Sequence, residues 1–192
     1  MPGRSNHGYI APVVQGRAVG EWVLLSYRLP REPSRPRIAL WRRLKRLGVV
    51  QIGDGLVALP ADARTREQLE WAAEEAVEAG GTAGLWVARP GSVAQERALA
   101  GEMAAARAVE YGQLATAATD ALSLRGSERS RVLRRLRGQW REINRRDFFP
   151  PSQREDAAAA LGALAGDVAA DGPTGRGVLA SADGGTGEAV GS

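Results

Sequence analysis

One stretch of the chain, residues 21–60 (EWVLLSYRLPREPSRPRIALWRRLKRLGVVQIGDGLVALP), constrains the fold more than any other. Residues 22–29 are rich in β-formers and apolar on both faces, the pattern of a strand with neighbours on either side. Pro30 and Pro33 end it, and Ser34 is placed to cap a helix that tolerates Pro36 in its first turn. On a helical wheel Leu40, Trp41, Leu44 and Leu47 fall within about a third of the circle, the width of a core-facing stripe. Arg35, Arg42, Arg43, Lys45 and Arg46 lie on the other side, and Gly48 stops the helix. VVQI, the turn Gly53-Asp54-Gly55 and LVALP then read as a β-hairpin.

Residues 65–79 continue as an amphipathic helix with Leu69, Trp71, Ala72 and Ala76 on its apolar side and Glu70, Glu74, Glu75 and Glu78 outside. Gly80-Gly81 closes it, and TAGLWVA at 82–88 is a fourth strand. The order β-α-β-β-α-β predicts an α+β, ferredoxin-like domain over residues 21–91, with two helices on one face of a four-stranded antiparallel sheet.

After Pro90 the pattern is helical only. A long helix over 92–122, capped by Ser92, carries the stripe Leu99, Met103, Ala106, Glu110, Leu114, Ala117. A second, over 127–146, has an apolar seam of Val132, Leu133, Leu136, Trp140 and Ile143, and DFFPP ends it. Residues 92–150 are thus expected as a helical extension packed on the sheet domain. Residues 1–20 read as a flexible arm, and 151–192 as an Ala/Gly-rich low-complexity tail with a weak helix over 156–170. Both termini are expected to be disordered.

The chain has no cysteine, which removes disulfides, thiolate metal sites and thiol redox chemistry. Its one histidine, His7, lies in the Gly/Ser/Asn-rich arm and reads as solvated. No apolar run is long enough to span a bilayer and no signal peptide is evident, so the expectation is a cytoplasmic protein with no membrane contact. Of 26 basic residues only Lys45 is a lysine. Residues 21–154 hold 23 basic against 16 acidic residues, while 155–192 hold six acids and one arginine. A basic body favours an anionic partner.

Arginine presents forked donors that match phosphate oxygens. Arg35, Arg42, Arg43, Lys45 and Arg46 on one helix, and Arg134, Arg137, Arg141 and Arg145 on another, are therefore the candidate DNA-binding residues. The plain alternative is two solvated helix faces. No helix-turn-helix and few exposed aromatics are evident, so base readout is not encoded in the pattern. Arg37 and Glu110 fall on otherwise apolar helix sides. A buried charge needs a partner, and the two are expected to pair with each other, or with Tyr27 and Tyr111.

Trp22, Tyr27-Arg28-Leu29-Pro30, Pro33-Ser34, Arg37, residues 40–45 (LWRRLK), Leu47-Gly48, Ala58-Leu59-Pro60, Ala79-Gly80-Gly81, Glu110-Tyr111-Gly112 and residues 143–149 (INRRDFF) resemble the N-terminal domain of the chromate-resistance regulator ChrB over residues 21–150. The resemblance implies a transcriptional regulator of chromate-efflux genes that binds DNA and responds to chromate. It also implies a second reading of Tyr27, Arg28 and Arg37, as an oxyanion pocket able to hold chromate. Full-length relatives carry a C-terminal chromate-resistance domain that this sequence lacks, so sensing assigned to that domain does not carry over. The strand-turn-helix segment is also similar to the middle domain of PaaX-type repressors, whose fold is shared with small nucleases. Those nucleases place a metal-binding aspartate just after the first strand, where this chain has Arg28. No metal site, cofactor or catalytic residue is therefore expected. The alternative function is a non-catalytic scaffold, or a dimerisation domain that works with a separately encoded ChrB C-terminal partner.

Overall fold

The split βαβ order expected from the sequence is the order found in a computed structural model, which describes residues 20–170. The sheet contains β1 (Trp22–Arg28), β2 (Val50–Gly53), β3 (Leu56–Pro60) and β4 (Thr82–Ala88), with α1 (Ser34–Leu47) after β1 and α2 (Ala63–Glu78) after β3. Spatial order is β2-β3-β1-β4 and every pairing is antiparallel. The doubly apolar β1 is accordingly central, with Leu25 opposite Val57 on one side and Leu85 on the other. The readings for residues 1–19 and 171–192, His7 included, lie outside the described residues.

Side chains alternate across a strand. Val23 and Leu25, with Val57 and Leu59 beside them, join a core with Leu40 and Leu44 of α1 and Leu69, Ala72 and Ala76 of α2. The turn between β2 and β3 requires glycine at one point. Gly55 has φ 69°, its carbonyl accepts from the Tyr27 backbone N–H at 2.7 Å, and a Cβ there would meet the Tyr27 carbonyl oxygen at 2.3 Å.

Several local expectations shift by a residue or two. Ser34 is the first helical residue of α1 rather than its cap; Pro33 holds that position and no side chain caps the end. α2 starts earlier than expected because Asp62 caps it in a reciprocal capping box with Thr65. Trp71 is half exposed, since it lies one position off the stripe of Thr65, Leu69, Ala72 and Ala76 that is buried.

Three helices follow: α3 (Val93–Asp120), α4 (Gly126–Arg145) and α5 (Gln153–Ala170). Ser92 caps α3 by accepting from the Gln95 N–H, as expected. The buried stripe of α3 runs Glu96, Ala100, Met103, Arg107, Tyr111, Leu114 and Ala118, rotated from the expected one so that Arg107, and not Glu110, is the more buried charge. Its first half supplies Ala100 and Met103 to the sheet core, where Phe149 stacks on Trp22 with centroids 6.0 Å apart. Its second half builds a separate core with Leu133, Leu136 and Ile143 of α4 and Ala157, Leu161 and Leu164 of α5.

The weak helix expected over 156–170 is found as α5, beginning three residues earlier at Gln153. Alanine-rich composition looked like low complexity, yet Ala157 and Leu164 are fully buried and α5 packs along α3 and α4. Small side chains let helices approach closely, and burying each leucine contributes about 1.5–3 kcal/mol.

Candidate functional site

The basic face of α1 stands as the wheel predicted. Arg35, Arg42, Lys45 and Arg46 are exposed, and Lys45 rests its ammonium 4.6 Å from the Trp41 ring centroid. Arg43 differs, because it reaches across to α2 and donates to Glu75 Oε2 at 3.0 Å. Half-exposed ion pairs of this kind contribute about 0.5 kcal/mol, so the pairing removes Arg43 from a free cationic surface without stabilising the fold much.

On α4, Arg134, Arg137 and Arg141 are exposed, and Arg145 sits at the helix end with Glu142 4.0 Å away. Among the described residues, Arg35, Arg42, Arg46, Arg134, Arg137 and Arg141 have no carboxylate within salt-bridge distance. The two basic sets meet only at their ends, through Lys45 and Arg46 of α1 and Arg145 of α4. A cleft of about 420 Å³ lies between the last turns of α1 and α4 and the first turn of α2. Lys45, Arg46, Arg64, Arg145 and Arg146 line it with a single carboxylate, Glu142. Arg64 and Arg146 were not among the residues singled out from sequence. Arg64 donates from Nη2 to the Arg145 carbonyl at 3.1 Å and places its guanidinium 5.8 Å from the Phe148 ring centroid. The arginines at 134, 137 and 141 lie further along α4 and do not line this cleft.

The proposed oxyanion residues also share a cleft. Tyr27, Arg28 and Arg37 line an open space of about 450 Å³ with Leu29, Trp41, Gln51 and the carboxylate-bearing Asp54. Burial raises the Tyr27 phenol above its usual value, so it stays a protonated donor. Arg28 and Arg37 are exposed to solvent.

The pairing of Arg37 with Glu110 is not found. Arg35, Arg37, Ile38 and Ala39 are all exposed, and Arg37 Nη1 donates to the Arg31 carbonyl at 2.9 Å. Glu110 instead bridges two other arginines, with Oε2 2.8 Å from Arg107 Nε and Oε1 3.1 Å from Arg146 Nη1. The first contact is close but not aligned as a hydrogen bond. Arg107 is nearly buried, and desolvation is the largest influence lowering its pKa, opposed by Glu110.

Beside this triad lies a second polar cluster. Tyr111 donates its hydroxyl to Asp147 Oδ2 at 2.9 Å, and Arg154 Nε stands 3.9 Å from the same oxygen. The Asp147 side chain is 1% exposed, and its Oδ1 has no hydrogen-bond partner among the described residues. Burial pushes the Asp147 carboxyl up, and the Tyr111 hydrogen bond partly opposes that rise. Burial and the same hydrogen bond push the Tyr111 phenol well above its usual value. The pattern in 143–149 held the signal for this cluster, since a charged pair followed by Asp-Phe-Phe at a helix end must bury some charge along with the rings.

Among the described residues no group of three or more His, Cys, Asp or Glu could hold a metal ion, and no helix is long and apolar enough to cross a membrane. Fold and site together define an α+β module of the ferredoxin-like type with a three-helix cap, whose α1, α2 and α4 surround a cationic cleft. The family described as Protein ChrB, N-terminal, matches residues 37–170, more than half of the chain. The chain belongs to this family, that of a chromate-resistance regulator type of protein. The match extends to the last residue of α5. No curated protein and no solved structure matches.

Proposed function

We propose that this protein is a non-catalytic transcriptional regulator that binds DNA through the basic surface of α1 and α4 and whose binding responds to chromate. The observation that supports DNA binding is the meeting of the ends of two arginine-bearing helices at one cleft, with most guanidinium groups along both helix faces uncompensated by carboxylates. Such a surface neutralises backbone phosphates and releases counterions, which drives association without base contacts. Chromate response rests on the family and on the shared cleft of Tyr27, Arg28 and Arg37. A tetrahedral dianion there would draw on two guanidinium groups and a protonated phenol, against the single opposing carboxylate of Asp54.

The test is fluorescence anisotropy with duplex DNA from upstream of the protein's own gene, over a salt series and with and without chromate. Expected are affinity that falls steeply with salt and a change in affinity on adding chromate that is lost in Arg28→Gln/Arg37→Gln. No duplex binding at low salt refutes the regulator reading; binding that ignores chromate refutes the response alone.

A second reading, a dimerising domain, draws on β4, where Trp86 is 62% and Val87 53% exposed on a sheet-edge strand without charge or proline. Sedimentation of the full chain decides it: a second copy paired along β4 gives a dimer that Val87→Lys dissociates.

A further inference from the structure

The cationic cleft has more positive charge than its helices require. Lys45 and Arg46 end α1 and Arg145 ends α4, where cations complement the negative ends of helix dipoles. Two helix ends account for about one unit of charge in all. Arg64 has the reverse placement. It lies in the first turn of α2, the positive end of that dipole, and has no carboxylate within salt-bridge distance among the described residues. Only one of its N–H donors has a partner there, the Arg145 carbonyl, out of about five that a guanidinium carries. That bond and the Phe148 ring hold the side chain at the cleft wall. Arg146 is committed to Glu110, so Arg64, Lys45 and Arg46 are the cations left to meet a ligand from three sides with Arg145. An open space of about 420 Å³ is ample for a tetrahedral group and its hydration.

We infer that this cleft seats one phosphoryl group, with Arg64 as its central contact and Lys45, Arg46 and Arg145 around it. The inference deepens the DNA-binding reading and rests on it for the source of the phosphate, a backbone diester held at one fixed point on the protein surface. A free phosphate carries the same chemistry, so the experiment separates the two sources.

The full chain is titrated by anisotropy with two duplexes of unrelated sequence over a salt series, and by calorimetry with sodium pyrophosphate at low salt. Arg64→Gln is expected to weaken both duplexes about tenfold and to lower the slope of log affinity against log salt by about one. Arg97→Gln, the same charge change on exposed α3, leaves both unchanged. Because Arg64 also holds the end of α4, Arg46→Gln, which makes no such bond, must move affinity and slope in the same direction. If Arg64→Gln weakens binding while Arg46→Gln does not, Arg64 is a strut and the inference falls. It falls too, with the DNA reading intact, if duplexes bind and Arg64→Gln behaves like Arg97→Gln. If no duplex binds but pyrophosphate does, and Arg64→Gln abolishes that, the phosphoryl site stands with a free phosphate as its source and the DNA reading falls. If neither probe binds, both are overturned.

Discussion

Replacing Tyr111 by phenylalanine removes one oxygen and makes a pH-dependent test of the buried cluster. Among the described residues the Tyr111 hydroxyl is the one donor hydrogen-bonded to the Asp147 carboxylate, at 2.9 Å, while Arg154 stands back at 3.9 Å. The carboxylate is almost wholly enclosed and its other oxygen has no partner among the described residues. A hydrogen bond to a charged group contributes about 1.5–3 kcal/mol, so Tyr111→Phe is expected to cost about 2 kcal/mol at pH 7. For a chain of this size that lowers the melting temperature by about 4–8 °C. The loss is not constant with pH. Burial raises the folded-state pKa of Asp147, so protonation favours the fold as pH falls through that raised value, and losing the tyrosine bond raises it further. The variant therefore recovers relative to the wild type on acidification. In alkali the unfolded tyrosine ionises near pH 10 whereas the folded one resists, so the wild type loses stability as pH rises above about 10 and the phenylalanine variant loses less. The difference is thus widest near neutrality. Urea unfolding followed by circular dichroism at acid, neutral and alkaline pH measures it. In an Asp147→Asn background the same change should cost about 1 kcal/mol, the worth of a neutral bond. A loss that is the same at all three pH values, or below about 0.5 kcal/mol at pH 7, refutes the reasoning.

Glu110→Gln leaves Arg107 nearly buried without its carboxylate and should cost about 3 kcal/mol in urea unfolding, the low end for a broken buried pair because Glu110 is itself about a quarter exposed. Leu164→Ala, on the segment that composition assigned to a tail, should cost about 2–5 kcal/mol by the same measurement, whereas no loss would mean that α5 does not pack. Gly48→Ala places a side chain at φ 78° and 2.9 Å from both Arg107 Nη1 and Arg146 Cβ, and should lower the thermal midpoint by at least about 4 °C.

What the sequence made legible were the features decided within a few residues. The doubly apolar β1, glycine turns and the stripe of Leu40 and Leu44 specify the sheet, its order and the outward face of α1. Features decided by how far an element extends were not. Arg37 belongs to the stripe of Leu40 by angle, but no partner covers that turn, so periodicity alone mistook an exposed arginine for a buried one. On α3 one stripe serves two cores, and its buried side is rotated by about one residue from the expected one, from Ala106 to Arg107 and from Glu110 to Tyr111. α5 read only as a weak helix because alanine carries little hydrophobic signal, yet it packs closely between α3 and α4. Arg64 lies outside both arginine-rich helix faces, with only Arg66 near it in sequence, and only the meeting of three helices shows what it can reach.

Gly48 ties these levels together. Its glycine was legible as the stop of α1, and it does close the helix in the left-handed region, with its N–H bonded to the Lys45 carbonyl. The same missing side chain admits Arg107 from α3 and Arg146 from the end of α4 to within contact of the α1 backbone. Those two arginines are the pair that Glu110 bridges. The buried triad therefore sits directly behind the point where α1 ends, and it fixes the end of α4 against the end of α1. Lys45 and Arg46 precede that point by two or three residues, and Arg145 precedes Arg146 by one. The buried network fixes the ends of α1 and α4 across the cleft, and the single bond from Arg64 to the Arg145 carbonyl ties α2 to them. A cationic site built this way leaves most of its donors free for a ligand because most of the contacts that position it lie underneath.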